Sequence, residues 1–410
     1  MRARFLLLFC VVSLMLVIGS RGMAQTTATV SGVVTDESGG VLPAVQLAIT
    51  NAGTGIQRTF TTDTSGRFVV FQLPPGSYKL AATLAGFETL VRDEITLTVG
   101  QIATLNLSMK VGSVTEQVTV TADAPLVNTG TSAVSGVVEE KRIEQLPLNG
   151  RDFSQLPLVQ PGVSAVRNGD VVVSKGYGTR ISMGGSRPDQ TAWLLDGTNI
   201  RSVSNFGTPG SAAGLMLGVD AVREFQVLTS DYGAELGGTS GGVVNMVSKA
   251  GTNDFHGTVY EYLRNSDLDA RNFFDRVRPA FKRNQFGASL GGRIKKDKMF
   301  FFGNYEGLRQ RQGITAVSTV PDADVHQASV APAIRPYLDL WPLPNGPRLG
   351  GGIGTLYAPA NSPINENYFL ARVDHHIGDR QSIFARVTFD QGDLTSPDAV
   401  PIFKIGRAHV

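Results

Sequence analysis

The sequence predicts a mainly β protein in three successive parts: a β-sandwich, an α+β unit, and the first strands of an incomplete transmembrane β-barrel. Short strands of period two recur in the first hundred residues and again beyond Asp254, which marks half-buried sheets. Clusters rich in Gly, Pro, Asp and Ser separate them. No segment after Ile18 is apolar enough for a membrane helix, which leaves barrel strands open because their alternation gives a weak hydropathy signal.

At the N-terminus, Arg2 and Arg4 precede an apolar run from Phe5 to Ile18, followed by small residues up to Ala24. This pattern predicts a signal peptide over residues 1–24. The run is shorter than the roughly 18 to 20 apolar residues a spanning helix needs. Cys10 is the only cysteine, so its removal with the leader excludes disulfides and cysteine metal sites from the mature chain. With 42% hydrophobic residues, 18% charged residues and a net charge of +2, the chain reads as folded, with no electrostatic footprint for nucleic acid.

The first folded unit is expected over residues 26–110. Asp36-Glu37-Ser38-Gly39-Gly40 and Asp63-Thr64-Ser65-Gly66 mark turns, and Leu73-Pro74-Pro75-Gly76 marks another. Ala103, Leu105, Leu107 and Met109 share one face, with Thr104, Asn106 and Ser108 on the other, as in one sheet of a sandwich. The runs SGVVTDESGGVLPAVQLAIT and TTDTSGRFVVFQLPPGSYKLAATLAGF resemble the carboxypeptidase regulatory-like domain, a transthyretin-like β-sandwich grouped with carbohydrate-binding-like folds. That domain is an accessory of carboxypeptidases without their zinc site, so the resemblance implies no catalysis. It does admit a sugar-binding role, for which Phe68, Phe71, Tyr78 and Phe87 are the candidate aromatics, against an ordinary role in core packing.

Residues 181–251 contain a Gly184-Gly185-Ser186-Arg187 run, Leu194-Leu195-Asp196-Gly197, a strand through Glu224 to Leu228, and Ser240-Gly241-Gly242-Val243-Val244-Asn245. Residues 125–251 thereby resemble the plug domain of TonB-dependent outer-membrane receptors, with Gly184, Gly185, Asp196, Gly197, Gly241, Gly242 and Asn245 as the motif positions. Many siderophore receptors continue their corresponding strand into Arg-Gly-Pro. Here Gln226-Val227-Leu228 runs into Thr229-Ser230-Asp231, which together with the sandwich points to the Oar-like branch.

Ahead of the plug, Glu116, Gln117, Val118, Thr119, Val120, Thr121 and Ala122 form a β-prone run closed by Asp123-Ala124-Pro125. It resembles a TonB box, which adds as a strand to the periplasmic coupling protein. The alternative is a last strand of the sandwich, since Val/Thr alternation serves both. Residues 139–146 are expected to form a short helix stopped by Pro147. Asn149, Arg151 and Asp152 have no accompanying nucleophile and base and read as a turn with a local ion pair. The Gly233–Gly242 stretch lacks the Gly-Lys-Ser/Thr end of a phosphate-binding loop.

The third part, residues 254–404, is expected to start an outer-membrane barrel. Phe286, Ala288, Leu290, Gly292 and Ile294 oppose Gln285, Gly287, Ser289, Gly291 and Arg293, and Ile383, Ala385, Val387 and Phe389 oppose Arg386 and Thr388. Phe300, Phe301, Phe302 and Tyr305, with the Tyr260/Tyr262 pair, are expected to form interfacial girdles. Strands are expected near residues 255–264, 284–294, 298–308, 367–376 and 381–390, with an external loop from Gly313 to Pro363. A plugged transporter needs about 22 strands, so the chain is expected to be an N-terminal fragment. Residues 405–410 match the translation of a common sequencing adapter, which predicts that the natural frame is lost near Lys404.

His256, His326, His375 and His376 show no His-x3-His spacing, so neither metal nor cofactor is expected, and no base–nucleophile set suggests an enzyme. The resemblance implies outer-membrane transport, with gating through TonB and its inner-membrane energising complex. The sandwich and the TonB-box segment would then lie on the periplasmic side, lipid would surround the barrel, and the unidentified cargo could be a carbohydrate. The alternative is a secreted β-rich adhesion or carbohydrate-binding protein.

Overall fold

The computed structural model describes residues 26–112, 117–121, 133–145, 151–166, 180–201, 209–210, 217–236, 238–270, 278, 280–378, 381–395, 400 and 408–409. The expected signal peptide, Glu116, Ala122, Asn149 and the start of the 405–410 tail lie outside these residues.

Nine strands build the first unit: β1 (Ala28–Asp36), β2 (Gln46–Asn51), β3 (Gln57–Thr61), β4 (Arg67–Leu73), β5 (Gly76–Thr83), β6 (Thr89–Leu97), β7 (Ile102–Thr104), β8 (Leu107–Met109) and β9 (Gln117–Thr121). One sheet runs β4-β1-β7 with β8 also on β1, and the other runs β3-β2-β5-β6-β9. The turns form because Asp side chains stand in for backbone acceptors: Asp36 Oδ1 accepts the Ser38 and Gly40 N–H groups, both at 2.8 Å. Asp63 Oδ1 does the same for Ser65 and Arg67, at 2.8 and 2.9 Å. Alternation then sends Ala103, Leu105, Leu107 and Met109 inward, all buried, while Thr104, Asn106 and Ser108 stay in water. They pack with Leu47, Ile49, Leu80 and Ile95, each worth roughly 1.5–3 kcal/mol by burial. Phe68 and Tyr78 belong to this core, whereas Phe71 on edge strand β4 is 65% exposed.

The middle unit contains β10 (Val134–Val138), α1 (Glu140–Gln145), a 3-10 turn over Phe153–Val159, β11 (Val163–Ala165), β12 (Ile181–Met183), β13 (Ala192–Leu195), β14 (Thr198–Asn199), β15 (Val222–Ser230) and β16 (Val243–Ser248). Its main sheet runs β10-β15-β16-β13-β14, with β13 and β16 parallel. β13 and β16 are buried throughout, so both of their faces are covered. Trp193 and Phe225 anchor a core that continues into Phe302, Leu308 and Leu370 of the third unit. Asp152 does not pair with Arg151. It caps the 3-10 turn by accepting the Ser154 N–H at 3.0 Å, which leaves Arg151 free to reach elsewhere.

The third unit is one antiparallel meander: β17 (His256–Asn265), β18 (Phe281–Lys295), β19 (Met299–Pro321), α2 (Ala323–Gln327), α3 (Arg335–Leu338), β20 (Arg348–Gly350), β21 (Ile353–Ile377), β22 (Gln381–Leu394) and β23 (Ala408–His409). The order is β17-β18-β19-β21-β22-β23, with β20 on β21, so the sheet is open. Val259, Leu263, Leu290, Ile294, Ile383 and Val387 are exposed on its outer face, the band a lipid surface would cover.

Two sequence expectations change here. Gly313 pairs with Asn361 and Pro321 with Ile353, so both ends of the expected loop from Gly313 to Pro363 belong to the β19–β21 strands and the connection narrows to residues 322–352. At about 3.3 Å per residue these strands outrun a hydrocarbon core of about 30 Å, and the hairpin stem projects beyond it. The aromatic run also divides by pleat: Phe300 and Phe302 are buried inward, while Tyr305 is exposed.

Short turns join β18 to β19 and β21 to β22 at one end of the sheet, and the long connections lie at the other. The sandwich sits at the short-turn end. Gly53 O accepts the Asn253 N–H at 2.9 Å, and Asn253 Nδ2 in turn donates to Asp297 Oδ1 in the β18–β19 turn at 2.8 Å.

Candidate functional site: ion pairs between the middle unit and the barrel sheet

Asp196 occupies the tip of the β13–β14 hairpin, where Leu195 pairs with Thr198 and only Asp196 and Gly197 lie between. Their φ angles of 48° and 76° are those of a two-residue turn that Asp-Gly adopts readily, because its twist matches the flanking strands. The turn points the carboxylate out of the unit. Ser248 at the end of β16 holds it from inside, with N–H to Oδ1 at 2.9 Å and Oγ–H to Oδ2 at 2.6 Å. From the barrel sheet, Arg372 on β21 reaches Oδ1 at 3.3 Å and Arg386 on β22 reaches Oδ2 at 2.9 Å. Arg386 also donates to Leu195 O at 3.0 Å, and Arg372 is braced by Asp374 at 2.7 Å and lies over the Phe384 ring.

Arg372 and Arg386 are direct register partners on adjacent strands. Like charges opposite each other on a ladder repel, so Asp196 supplies the countercharge that makes this pair tolerable. All three side chains are largely shielded from solvent, which strengthens both the attraction and the penalty for removing one member.

A second bridge has reversed polarity. Arg151 of the middle unit pairs with Asp220 at 2.7 Å and approaches Glu306 of β19 at 3.8 Å. Its guanidinium stands 4.3 Å from the Tyr260 ring centroid and 5.1 Å from that of Tyr262, and donates to the Tyr262 hydroxyl at 3.1 Å. These tyrosines therefore face the middle unit and do not form the expected lipid girdle. Glu306, fully buried, accepts the Gly218 N–H at 2.9 Å and the Gln285 amide at 2.6 Å. Gly218 has φ of 91°, and a Cβ there would come within 2.4 Å of the Tyr368 ring, so the close approach needs glycine.

The other sequence-selected positions play local roles. Gly184 and Gly185 form the turn closed by the Ser186 N–H to Met183 O bond at 3.0 Å. Gly241 and Gly242 lie tight against the Gln190 carbonyl and the Met183 side chain, and Asn245 is buried on β16 opposite Leu194 and Gln226. Gln117–Thr121 is β9, an edge strand paired in parallel with β6, the sandwich-strand arrangement weighed as the alternative for that segment. Sequence reading selected Asp196 but missed Arg372, whose only signal was a cation on an inward-facing position. It assigned Arg151 a neighbouring partner, although its contacts are with residues far along the chain, Asp220, Tyr262 and Glu306.

Comparison with known proteins places these units. The carboxypeptidase regulatory-like domain family matches residues 29–110, and the outer membrane beta barrel domain family matches 247–331 and 323–408. The chain is 26% identical over 313 residues to the TonB-dependent transporter Oar of Myxococcus xanthus, covering 72% of this chain and 28% of that protein. It is 28% identical over 178 residues to the probable TonB-dependent siderophore receptor PirA of Acinetobacter baumannii, covering 41% and 22% respectively. The crystal structure of that PirA aligns with a TM-score of 0.41 at 19% identity, over 64% of this chain and 32% of the other. The chain thus spans about a quarter of the length of these curated relatives. Barrel-family matches on the meander, the sandwich match before it and the Oar relationship across both lead to one conclusion: the chain carries a carboxypeptidase regulatory-like domain ahead of an outer membrane beta barrel domain and is related to TonB-dependent outer-membrane transporters.

Proposed function

We propose that this chain is the gated part of an outer-membrane transporter, in which the middle unit is a plug clamped inside the barrel by two oppositely polarised bridges. The observation that carries this reading is Asp196 held between Arg372 and Arg386. A clamp of ion pairs suits a gate, because it is strong when dry and loses its advantage once water enters. Such a plug moves when force is applied to it, and the proposed handle is the Glu116–Ala122 segment. β9 ends its sheet, with β6 on one side and no partner strand on the other among the described residues, so TonB's periplasmic domain could add there as a further strand. The sandwich and β9 then lie on the periplasmic side, in keeping with their place at the short-turn end of the barrel.

The test uses the absence of cysteine from residues 25–410. Val118→Cys and Val120→Cys in the whole receptor are expected to cross-link in cells to a cysteine-bearing periplasmic domain of TonB, and deletion of residues 116–122 is expected to abolish cross-linking while membrane insertion persists. Unchanged capture of TonB by the deleted receptor would reject this segment as the handle. A carbohydrate cargo is proposed on the resemblance of the sandwich to a carbohydrate-binding-like fold and on Phe71, which is exposed and so can stack on a sugar. Unaltered glycan-array binding after Phe71→Ala would remove that assignment.

A further inference from the structure

Among the described residues the sandwich lies against the rest of the molecule from the loop after β6, past Gly76 beside Arg223, to the loop after β2, and the contacts at the two ends differ in what they hold. At the first, the loop after β6 enters the plug: Glu224 on β15 accepts the Val99 N–H through Oε1 at 2.5 Å, and Gly100 lies against the Gln226 carboxamide. Both Val99 and Glu224 are buried, so this is a closed contact and not a rim interaction. At the second, the loop after β2 meets the plug–barrel junction. There Gly53 O accepts from Asn253, Gly55 lies against Asp297, and a Cβ placed on Gly53 would stand 3.8 Å from the Thr252 Cβ. One contact is to the plug sheet and the other to the junction and a barrel turn, so the sandwich spans from moving part to frame.

The third observation is connectivity. β9 pairs with β6 from Thr89↔Gln117 to Asp93↔Thr121, and β6 leads directly into the Val99 loop. β9 is therefore joined to the plug by two routes, along the chain to β10 and through its pairing with β6 to the Val99 loop. Resting on the plug-and-handle reading given above, we propose that the sandwich is a second stopper, docked across plug and barrel frame, which must undock before the plug can leave the lumen. The partner of this interaction surface is therefore the chain's own plug, and the sandwich acts as an autoinhibitory clamp in series with it.

The 3.8 Å separation is close to the roughly 3.8 Å Cβ–Cβ distance of a disulfide, and residues 25–410 contain no cysteine. The whole receptor carrying Gly53→Cys and Thr252→Cys is reconstituted in a planar lipid bilayer, and plug opening is provoked with urea and read as conductance. The oxidised form is expected to show at least tenfold fewer openings than the same protein after reduction, and the single-cysteine variants are expected to match the reduced form. Equal opening of oxidised and reduced protein, or failure of the two cysteines to join, would overturn the stopper. A receptor lacking residues 125–251 is the separate check on the underlying reading: if it conducts no better than the intact protein, the plug assignment fails, while the disulfide still reports whether the sandwich docks.

Discussion

Arg372 and Arg386 face one another across the β21–β22 ladder, and the carboxylate of Asp196 from another unit is the charge that lies between them. The barrel sheet is thus electrostatically unfinished by itself and completed when the plug is seated. Removing the carboxylate leaves Arg386 without its carboxylate partner, opposite an Arg372 that Asp374 still holds. Asp196→Asn is expected to weaken plug seating by about 3 kcal/mol, the order found when one member of a buried pair is removed. Hydrogen exchange at Ser248 and along β16 would measure it. Adding Arg386→Gln should recover part of the loss, and full additivity of the two substitutions would show that the residues act independently.

Arg151 acts through shape as well as charge. Its planar guanidinium meets a carboxylate and two aromatic rings together, a task an ammonium cannot reproduce. Arg151→Lys is expected to lose nearly as much protection at the amides of residues 218–221 as Arg151→Ala. Wild-type exchange in the lysine variant would reduce the role of Arg151 to charge alone.

Gly218→Ala should cost about 2 kcal/mol or more in plug stability, since a left-handed residue and a contact with the Tyr368 ring are both disturbed. Chemical denaturation followed by the fluorescence of buried Trp193 reports it. Gly197→Ala, whose Cβ would enter open space, should lose only the turn-strain part.

The pleat assigns Tyr260 and Tyr262 to the plug side and Val259 and Leu263 to lipid. Cysteines at 259 and 263 are expected to react with a lipid-phase maleimide, and a cysteine at 262 with a water-soluble one. The reverse labelling pattern would restore the girdle reading.

Glu224 makes docking of the sandwich pH-sensitive. Burial raises its carboxyl from 4.5 to about 7, against the pull of Arg223 and the Val99 N–H, with Glu139 and Glu140 adding repulsion. Lys249 partly neutralises Glu140 at 2.8 Å. Undocking exposes the carboxyl and returns it toward 4.5, so the docked state holds the proton more tightly. Docking support is complete below about 4.5 and is lost as pH rises through about 7. From about pH 5 to about pH 8 the docking equilibrium should fall on the order of tenfold to a hundredfold. Exchange of the residue 98–101 amides would track it, and Glu224→Gln should flatten the profile.

Much of the sandwich was legible because its signals are local. An Asp two and four residues before a backbone donor makes its turn wherever it stands, and the 103–109 alternation needs only one buried face. The Asp-Gly tip at 196–197 was legible for the same reason. The β19–β21 hairpin was not, since Pro, Gly and Ala between Gly313 and Pro363 carry turn character, and only the pairing of distant partners extends those strands. Arg151 was misread because sequence adjacency to Asp152 suggested a pair that the cap on Ser154 pre-empted.

By itself the sequence determined the order of the three units, their strand periods and the turn that presents Asp196, all of which depend on neighbours within a few residues. Only the tertiary structure decided which charges meet: that Asp196 answers Arg372 and Arg386, that Arg151 answers Glu306, and that Val99 reaches Glu224. Charge pairing falls off over a few ångströms and is indifferent to separation along the chain, so it becomes readable only when the sheets have brought those residues together.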